Sequence, residues 1–71
     1  MDWEEAYSKI QAHLQATGYD GAIVKTCIVE CYPPIYRAEI VFEGARGVFY
    51  GDSWLEVFNH MKAAYQGISP L

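Results

Sequence analysis

The sequence lacks the features that mark several large classes of protein. No apolar run approaches the ~20 residues needed to span a bilayer, and two cysteines among 71 residues are too few for a disulfide-stapled scaffold. The chain does not begin with the basic segment that opens a signal peptide. We therefore expect a cytoplasmic protein that makes no contact with a membrane.

Positive charge is also scarce. Five Lys and Arg residues stand against nine Asp and Glu, which gives a formal net charge of −4. Binding to a phosphate backbone depends on concentrated positive charge, so this balance argues against a nucleic-acid partner.

The length leaves room for one small α+β domain, residues 1–71, of which residues 68–71 form a short tail.

Two segments have the apolar spacing of an amphipathic helix. Asp2 and Glu5 fit a capping box, and the apolar residues that follow recur every three or four positions through about Ala16. Ser53 and Glu56 fit a second capping box, which opens another apolar stripe. The sequence predicts one helix near each end of the chain.

Between these helices lie three segments typical of β-strands. Residues 22–32 are rich in β-branched side chains, Ile35–Glu43 alternates between apolar and polar residues, and Gly47–Tyr50 is a short third segment. Pro33 and Pro34 separate the first two. The order α-β-β-β-α predicts a three-stranded antiparallel meander with both helices packed on one face.

The prolines suggest a register for the first hairpin. If Tyr32 pairs with Ile35, then Glu30 faces Arg37, a favourable cross-strand pair, and Pro34 takes the cis form in a two-residue loop. This register and the helix spacing together predict a core of Trp3, Tyr7, Ile10, Leu14, Ile23, Cys27, Val29, Ile40, Phe42, Phe49, Trp54, Phe58 and Met61.

In the same register the sheet face turned away from the helices has an apolar centre and a charged margin. Such a face is normally polar, and an apolar centre is typical of a contact surface. Isolated valines on a solvated sheet are the alternative interpretation. We expect Tyr50 and Arg37 to contribute most to binding. The predicted protein-binding residues are Ile28, Glu30, Arg37, Glu39, Val41, Val48 and Tyr50.

The chemically reactive residues form no recognisable site in the sequence. Cys27 and Cys31 lie ~13 Å apart in an extended strand, too far for a disulfide or a shared zinc ion, and we expect both to be buried. His13 and His60 have no neighbours in sequence that would tune them, and Ser53 is explained as a helix cap. We expect no catalytic or metal-binding residues, no cofactor and no enzymatic activity.

The element order resembles that of the double-stranded RNA-binding domain. That family grips its duplex with a basic cluster at the start of the last helix, whereas residues 52–56 here are acidic and aromatic. The resemblance therefore implies the fold and not the RNA binding. The segment 51–57 is similar to the strand-to-helix turn of HicB-type antitoxins, which also follows a β-meander.

These observations favour a small non-enzymatic domain that docks on another protein. The composition resembles that of phage and mobile-element inhibitors, including anti-CRISPR proteins, which would turn an acidic surface toward a basic nucleic-acid-handling protein. One alternative is an antitoxin-like or adaptor module that forms a homodimer through its sheet. Another is a divergent nucleic-acid binder, which would need basic charge clustered on one face.

Overall fold

The computed structural model describes residues 1–67 and contains two helices and one three-stranded sheet. The sheet is an antiparallel meander in the order β1-β2-β3. The α+β class and the predicted order of elements are confirmed, and the predicted tail at 68–71 lies outside the described residues. The elements are α1 (Trp3–Ala16), β1 (Ile23–Cys31), β2 (Pro34–Phe42), β3 (Ala45–Gly51) and α2 (Trp54–Ala64).

Both helices begin at the predicted capping residues. The side chain of Asp2 accepts a hydrogen bond from the backbone N–H of Glu5 at 2.8 Å. Ser53 accepts one from the N–H of Glu56 at 3.1 Å, and the Glu56 carboxylate accepts one from the N–H of Asp52 at 3.1 Å. These side chains satisfy amide groups that the start of a helix leaves unpaired, so the local sequence sets where each helix begins. Neither helix in the described part of the chain is long and apolar enough to cross a membrane.

The register of the first hairpin differs from the prediction. Arg37 lies opposite Cys27 and not opposite Glu30, while Glu30 lies opposite Ile35 beyond a bulge that follows Ile28. A bulge adds one unpaired residue to a strand. The alternation of apolar and polar residues in the sequence does not predict where this happens. The predicted Glu30–Arg37 pair is therefore wrong.

The loop of this hairpin explains the difference. Cys31 pairs with Pro34, so the two loop residues are Tyr32 and Pro33, one position earlier than predicted. The cis peptide bond accordingly joins Tyr32 to Pro33 and does not precede Pro34. A proline at the third position of such a tight turn adopts the cis form.

The register also decides which face of β1 meets the helices. A shift of one residue exchanges the two faces of a strand. Val24 is thus buried beneath the helices, while Ile23 is 57% exposed on the other side. Thr26 also lies on the helix side, where its hydroxyl accepts a hydrogen bond from the indole N–H of Trp3.

The core lies between the two helices and the inner face of the sheet. Tyr7, Phe49 and Phe58 are predicted core residues that pack against its margin and are partly buried. Phe42 is also partly buried, with its ring centroid 5.1 Å from that of Tyr19. The fully packed core consists of Ala6, Ile10, Leu14, Val24, Ala38, Ile40, Trp54, Val57 and Met61.

Four predicted core residues are exposed. Ile23, Cys27 and Val29 belong to β1, whose predicted register is shifted from the observed one. Trp3 is 50% exposed because it is the first residue of α1, where its ring lies against Tyr7 at a centroid distance of 5.9 Å. The prediction for these four residues is wrong.

Candidate functional site

The helices cover one face of the sheet. On the opposite face, the strand register places nine side chains in rows that cross all three strands, and we call these nine residues the open face. They form three rows that cross β1, β2 and β3 in turn. The rows are Cys27, Arg37 and Tyr50; Lys25, Glu39 and Val48; and Ile23, Val41 and Arg46.

The structure brings together five of the predicted binding residues, since Arg37, Glu39, Val41, Val48 and Tyr50 all lie on the open face. The face of β2 is predicted correctly because that strand alternates between apolar and polar residues, and Val48 and Tyr50 of β3 lie on the same face as predicted.

Two predicted binding residues lie outside the three rows. Ile28 pairs with Tyr36 on the helix side of the sheet, because the faces of β1 are exchanged there. Glu30 pairs with Ile35, which alternates with Arg37 along β2, so the bulge returns Glu30 to the predicted face in a two-strand row beside Cys27 and Arg37.

Four residues of the open face are absent from the prediction: Ile23, Lys25, Cys27 and Arg46. The charge of Lys25 was the available signal for β1, because a lysine in a strand favours the solvated side. The sequence predicts that β3 begins at Gly47, whereas the observed strand begins at Ala45 and so includes Arg46.

Arg37 occupies the middle of the first row, between Cys27 and Tyr50. Its Nη1 atom lies 4.0 Å from the Sγ atom of Cys27. The proximity of Cys27, and to a smaller extent that of Tyr50, raises the pKa of the Arg37 guanidinium. The row thus places a charged group beside Tyr50, which is 51% exposed.

Glu39 occupies the centre of the open face and is buried there, although the face has no helix over it. Only 8% of Glu39 is exposed, because it lies between Lys25 on β1 and Val48 on β3. Its carboxylate pairs with the guanidinium of Arg46 at 3.2 Å. A carboxylate at this depth requires such a partner to offset its lost hydration.

The charge of the open face is opposite to that of the whole chain. Three of the five Lys and Arg residues lie on it, namely Lys25, Arg37 and Arg46, whereas Glu39 is its one acidic residue. Of the glutamates near this face, Glu39 is buried and paired, Glu30 adjoins the first row on the same side of the sheet, and Glu43 lies in the β2–β3 turn at a φ of 50°.

The cysteines are unpaired thiols, and both histidines contact backbone carbonyl oxygens. Cys27 and Cys31 are free and exposed, so the prediction that both are buried is wrong. The Nε2 atom of His13 lies 2.6 Å from the carbonyl oxygen of Tyr65, and the Nδ1 atom of His60 lies 2.8 Å from that of Tyr50. Residues 1–67 contain no cluster of three or more side chains that could ligate a metal ion.

Comparisons with known proteins add no functional assignment. No protein-family model, curated protein or solved structure matches this chain. The resemblance to the double-stranded RNA-binding domain thus remains one of element order. What the molecule can do must be argued from its own surface.

Proposed function

We propose that this chain is a non-enzymatic protein-binding domain that inhibits or regulates a protein partner, and that the open face is its docking surface. One observation carries the proposal: exposed Tyr50 and Ile23 stand beside two partly buried valines and the guanidinium of Arg37 on a single sheet face. Tyrosine and arginine dominate measured interface energies when they lie within such apolar surroundings.

An interface of standard size would extend beyond the nine residues of the open face, because it takes about 20–30 residues from each partner. A specific interface of standard size removes roughly 800 Å² from each partner. That area is a modest part of the 4757 Å² of accessible surface on this chain. One face of an elongated molecule measuring 45 × 23 × 18 Å can supply it.

The clustering of basic residues raises nucleic acid as a second candidate partner. The arrangement argues against it, because Arg46 is already paired with Glu39 and only Lys25 and Arg37 remain to meet phosphates. The chain as a whole is acidic, and affinity for a phosphate backbone grows with the number of neutralised phosphates.

Homodimerisation through the open face is a third candidate. A two-fold interface places the same patch of each copy against the other. The three basic side chains of one copy would then face those of the second, with one buried acidic residue on each side. Repulsion between like charges disfavours this arrangement.

The proposal is tested with the tagged chain as bait in a lysate of the cells that carry its gene. The parent should capture a protein partner, and the Tyr50→Ala/Arg37→Ala double variant should retain less than about a tenth of it, as expected when two hot spots are truncated. Nuclease treatment of the lysate should leave the capture unchanged.

A matched control truncates the same kinds of side chain on the helical side. Leu55 is 52% exposed and Lys62 is exposed, so Leu55→Ala/Lys62→Ala should capture the partner as the parent does. Both double variants should keep the far-UV circular dichroism of the parent. Capture by Tyr50→Ala/Arg37→Ala at the parental level would overturn the proposal.

A further inference from the structure

The open face holds two basic groups that form no ion pair within residues 1–67. Arg46 is paired with Glu39, but no carboxylate of residues 1–67 lies within ion-pairing distance of Lys25 or Arg37. Lys25 stands on an exposed position of β1, and Arg37 lies between Cys27 and Tyr50 in its row. Two cations on one face that lack an ion-pair partner favour an acidic partner group.

The spacing of these cations narrows the geometry of the partner. Lys25 lies opposite Glu39, and Arg37 is two residues from Glu39 on the same strand, so the two cations are diagonal neighbours. Diagonal positions in a sheet are about 7–8 Å apart. Side chains at alternate positions of an extended segment are separated by about 6.8 Å, which is close to the distance between the two cations.

The remaining surface agrees with an extended segment. Val41, Val48 and Tyr50 offer apolar contact beside the two cations, while the buried and paired Glu39 and the thiol of Cys27 lie between them. Glu30 is a diagonal neighbour of Arg37 on the same face and Glu43 lies in the turn after β2, so both would repel a longer acidic stretch. The surface thus suits a short acidic motif within a less charged sequence.

We propose, on the basis of the docking function above, that the partner presents a short extended segment whose two alternate carboxylates pair with Lys25 and Arg37. The protein partner is therefore acidic at its contact site. This reverses the sign of partner that the overall charge of the chain suggests.

The test is a titration of the ¹⁵N-labelled chain with a short capped peptide, Ser-Glu-Thr-Glu-Ser, followed by amide chemical shifts. Shifts should saturate and concentrate on the residues of the three rows. The matched peptide Ser-Gln-Thr-Gln-Ser should cause no comparable shifts. Salt at about 1 M, where the screening length is ~3 Å, should abolish the binding.

Charge-removing variants locate the contact. Lys25→Gln/Arg37→Gln should weaken binding of the glutamate peptide at least about fivefold, the effect expected from losing two exposed ion pairs. Lys9→Gln/Lys62→Gln removes the same charge from the helices and should leave the affinity within about twofold. Because the parent is titrated with both peptides, the inference is tested even if a variant fails to fold.

Three outcomes overturn the inference: open-face amides that the glutamate peptide does not shift, equal shifts with the glutamine peptide, or tighter binding of a short oligothymidylate at the same residues. The capture of a protein partner from lysate distinguishes a failure of the acidic-segment hypothesis from a failure of the docking surface itself. If Tyr50→Ala/Arg37→Ala loses the captured protein while the peptide does not bind, the docking surface stands and only the acidic segment is wrong.

Discussion

At the scale of single residues, two glycines of β3 show how closely the chain approaches itself. A Cβ atom on Gly51 would lie 2.9 Å from the backbone nitrogen of Val57 and 2.9 Å from the Cβ atom of Glu56. A Cβ atom on Gly47 would meet the hydroxyl of Tyr65 at 2.7 Å, which is the far end of a side chain. The first contact involves the backbone of α2, which cannot move without disturbing the helix.

Gly51→Ala should therefore lower the free energy of unfolding by about 1–3 kcal/mol, the usual cost of overpacking. Gly47→Ala should cost less, because the Tyr65 hydroxyl can move aside more easily than the helix backbone. Denaturant unfolding of the two variants measures the difference. Equal losses, or a larger loss for Gly47→Ala, would show that α2 does not approach β3 in this way.

Ionisation of Tyr65 makes the stability of the fold depend on pH in the alkaline range. Burial among aromatic rings, with the nearby Tyr19 as a smaller cause, raises the pKa of Tyr65 above its ordinary value. The folded state thus holds this proton more tightly than the unfolded state does. The resulting stability is complete below the unfolded pKa of about 10 and is lost as the pH rises through and beyond it.

Tyr65→Phe should make the loss of stability between about pH 8 and about pH 11 shallower than in the parent. Tyr32→Phe is the control, because Tyr32 is 97% exposed and its substitution should leave the loss unchanged. Denaturant unfolding at the two pH values provides the comparison. A Tyr65→Phe variant as sensitive to alkali as the parent would contradict the assignment.

At the scale of elements, the register of β1 is the feature on which the open face depends. Val24 and Ile23 are consecutive apolar residues, yet Val24 is 7% exposed and Ile23 is 57% exposed. Val24→Ala should cost about 2 kcal/mol through lost burial and the cavity it leaves. Ile23→Ala should cost less than about 1 kcal/mol, the span of strand propensity.

Thermal or denaturant unfolding of this pair tests the register with two nearly identical truncations. The reverse order, with Ile23→Ala the more damaging change, would favour the register that the sequence alone predicts for β1. The open face would then lose Ile23, Lys25 and Cys27.

The same strand shows why the sequence could predict some elements and not others. Capping at Asp2 and Ser53 and the apolar spacing of the helices act locally, so they define both helices without knowledge of the rest. Apolar residues in β1 occupy both alternating sets of positions, so their pattern cannot choose a face. That choice depends on the loop at Tyr32 and Pro33 and on the bulge, and both are tertiary features.

The candidate site inherits this division. Its residues on β2 could be predicted, because that strand alternates cleanly. Its residues on β1 could not be predicted, because the exchange of faces brings Lys25 into the three rows and moves Ile28 to the helix side. The added lysine changes the balance of charge on the surface.

At the scale of the whole molecule, charge is separated between two sides. The open face is basic, while acidic residues begin both helices at Glu4, Glu5 and Glu56. We expect the isolated chain to be a monomer, because two-fold packing of the open face would oppose like charges. Sedimentation velocity should give one species of 8.0 kDa. A dimer that Arg37→Gln disrupts would instead support the homodimer hypothesis.

The most direct test of the docking surface is the rate at which iodoacetamide alkylates Cys27 in the free and partner-bound protein. Cys27 shares a row with Arg37 and Tyr50, whereas Cys31 lies at the end of the hairpin, and both thiols are free and exposed. In a Cys31→Ser variant, the captured partner should slow alkylation of Cys27 at least about tenfold, because a partner docked on the row of Cys27, Arg37 and Tyr50 would exclude solvent from that thiol. In a Cys27→Ser variant, the rate at Cys31 should change much less. A Cys27 thiol that reacts as fast in the complex as in the free chain would contradict the assignment of the open face.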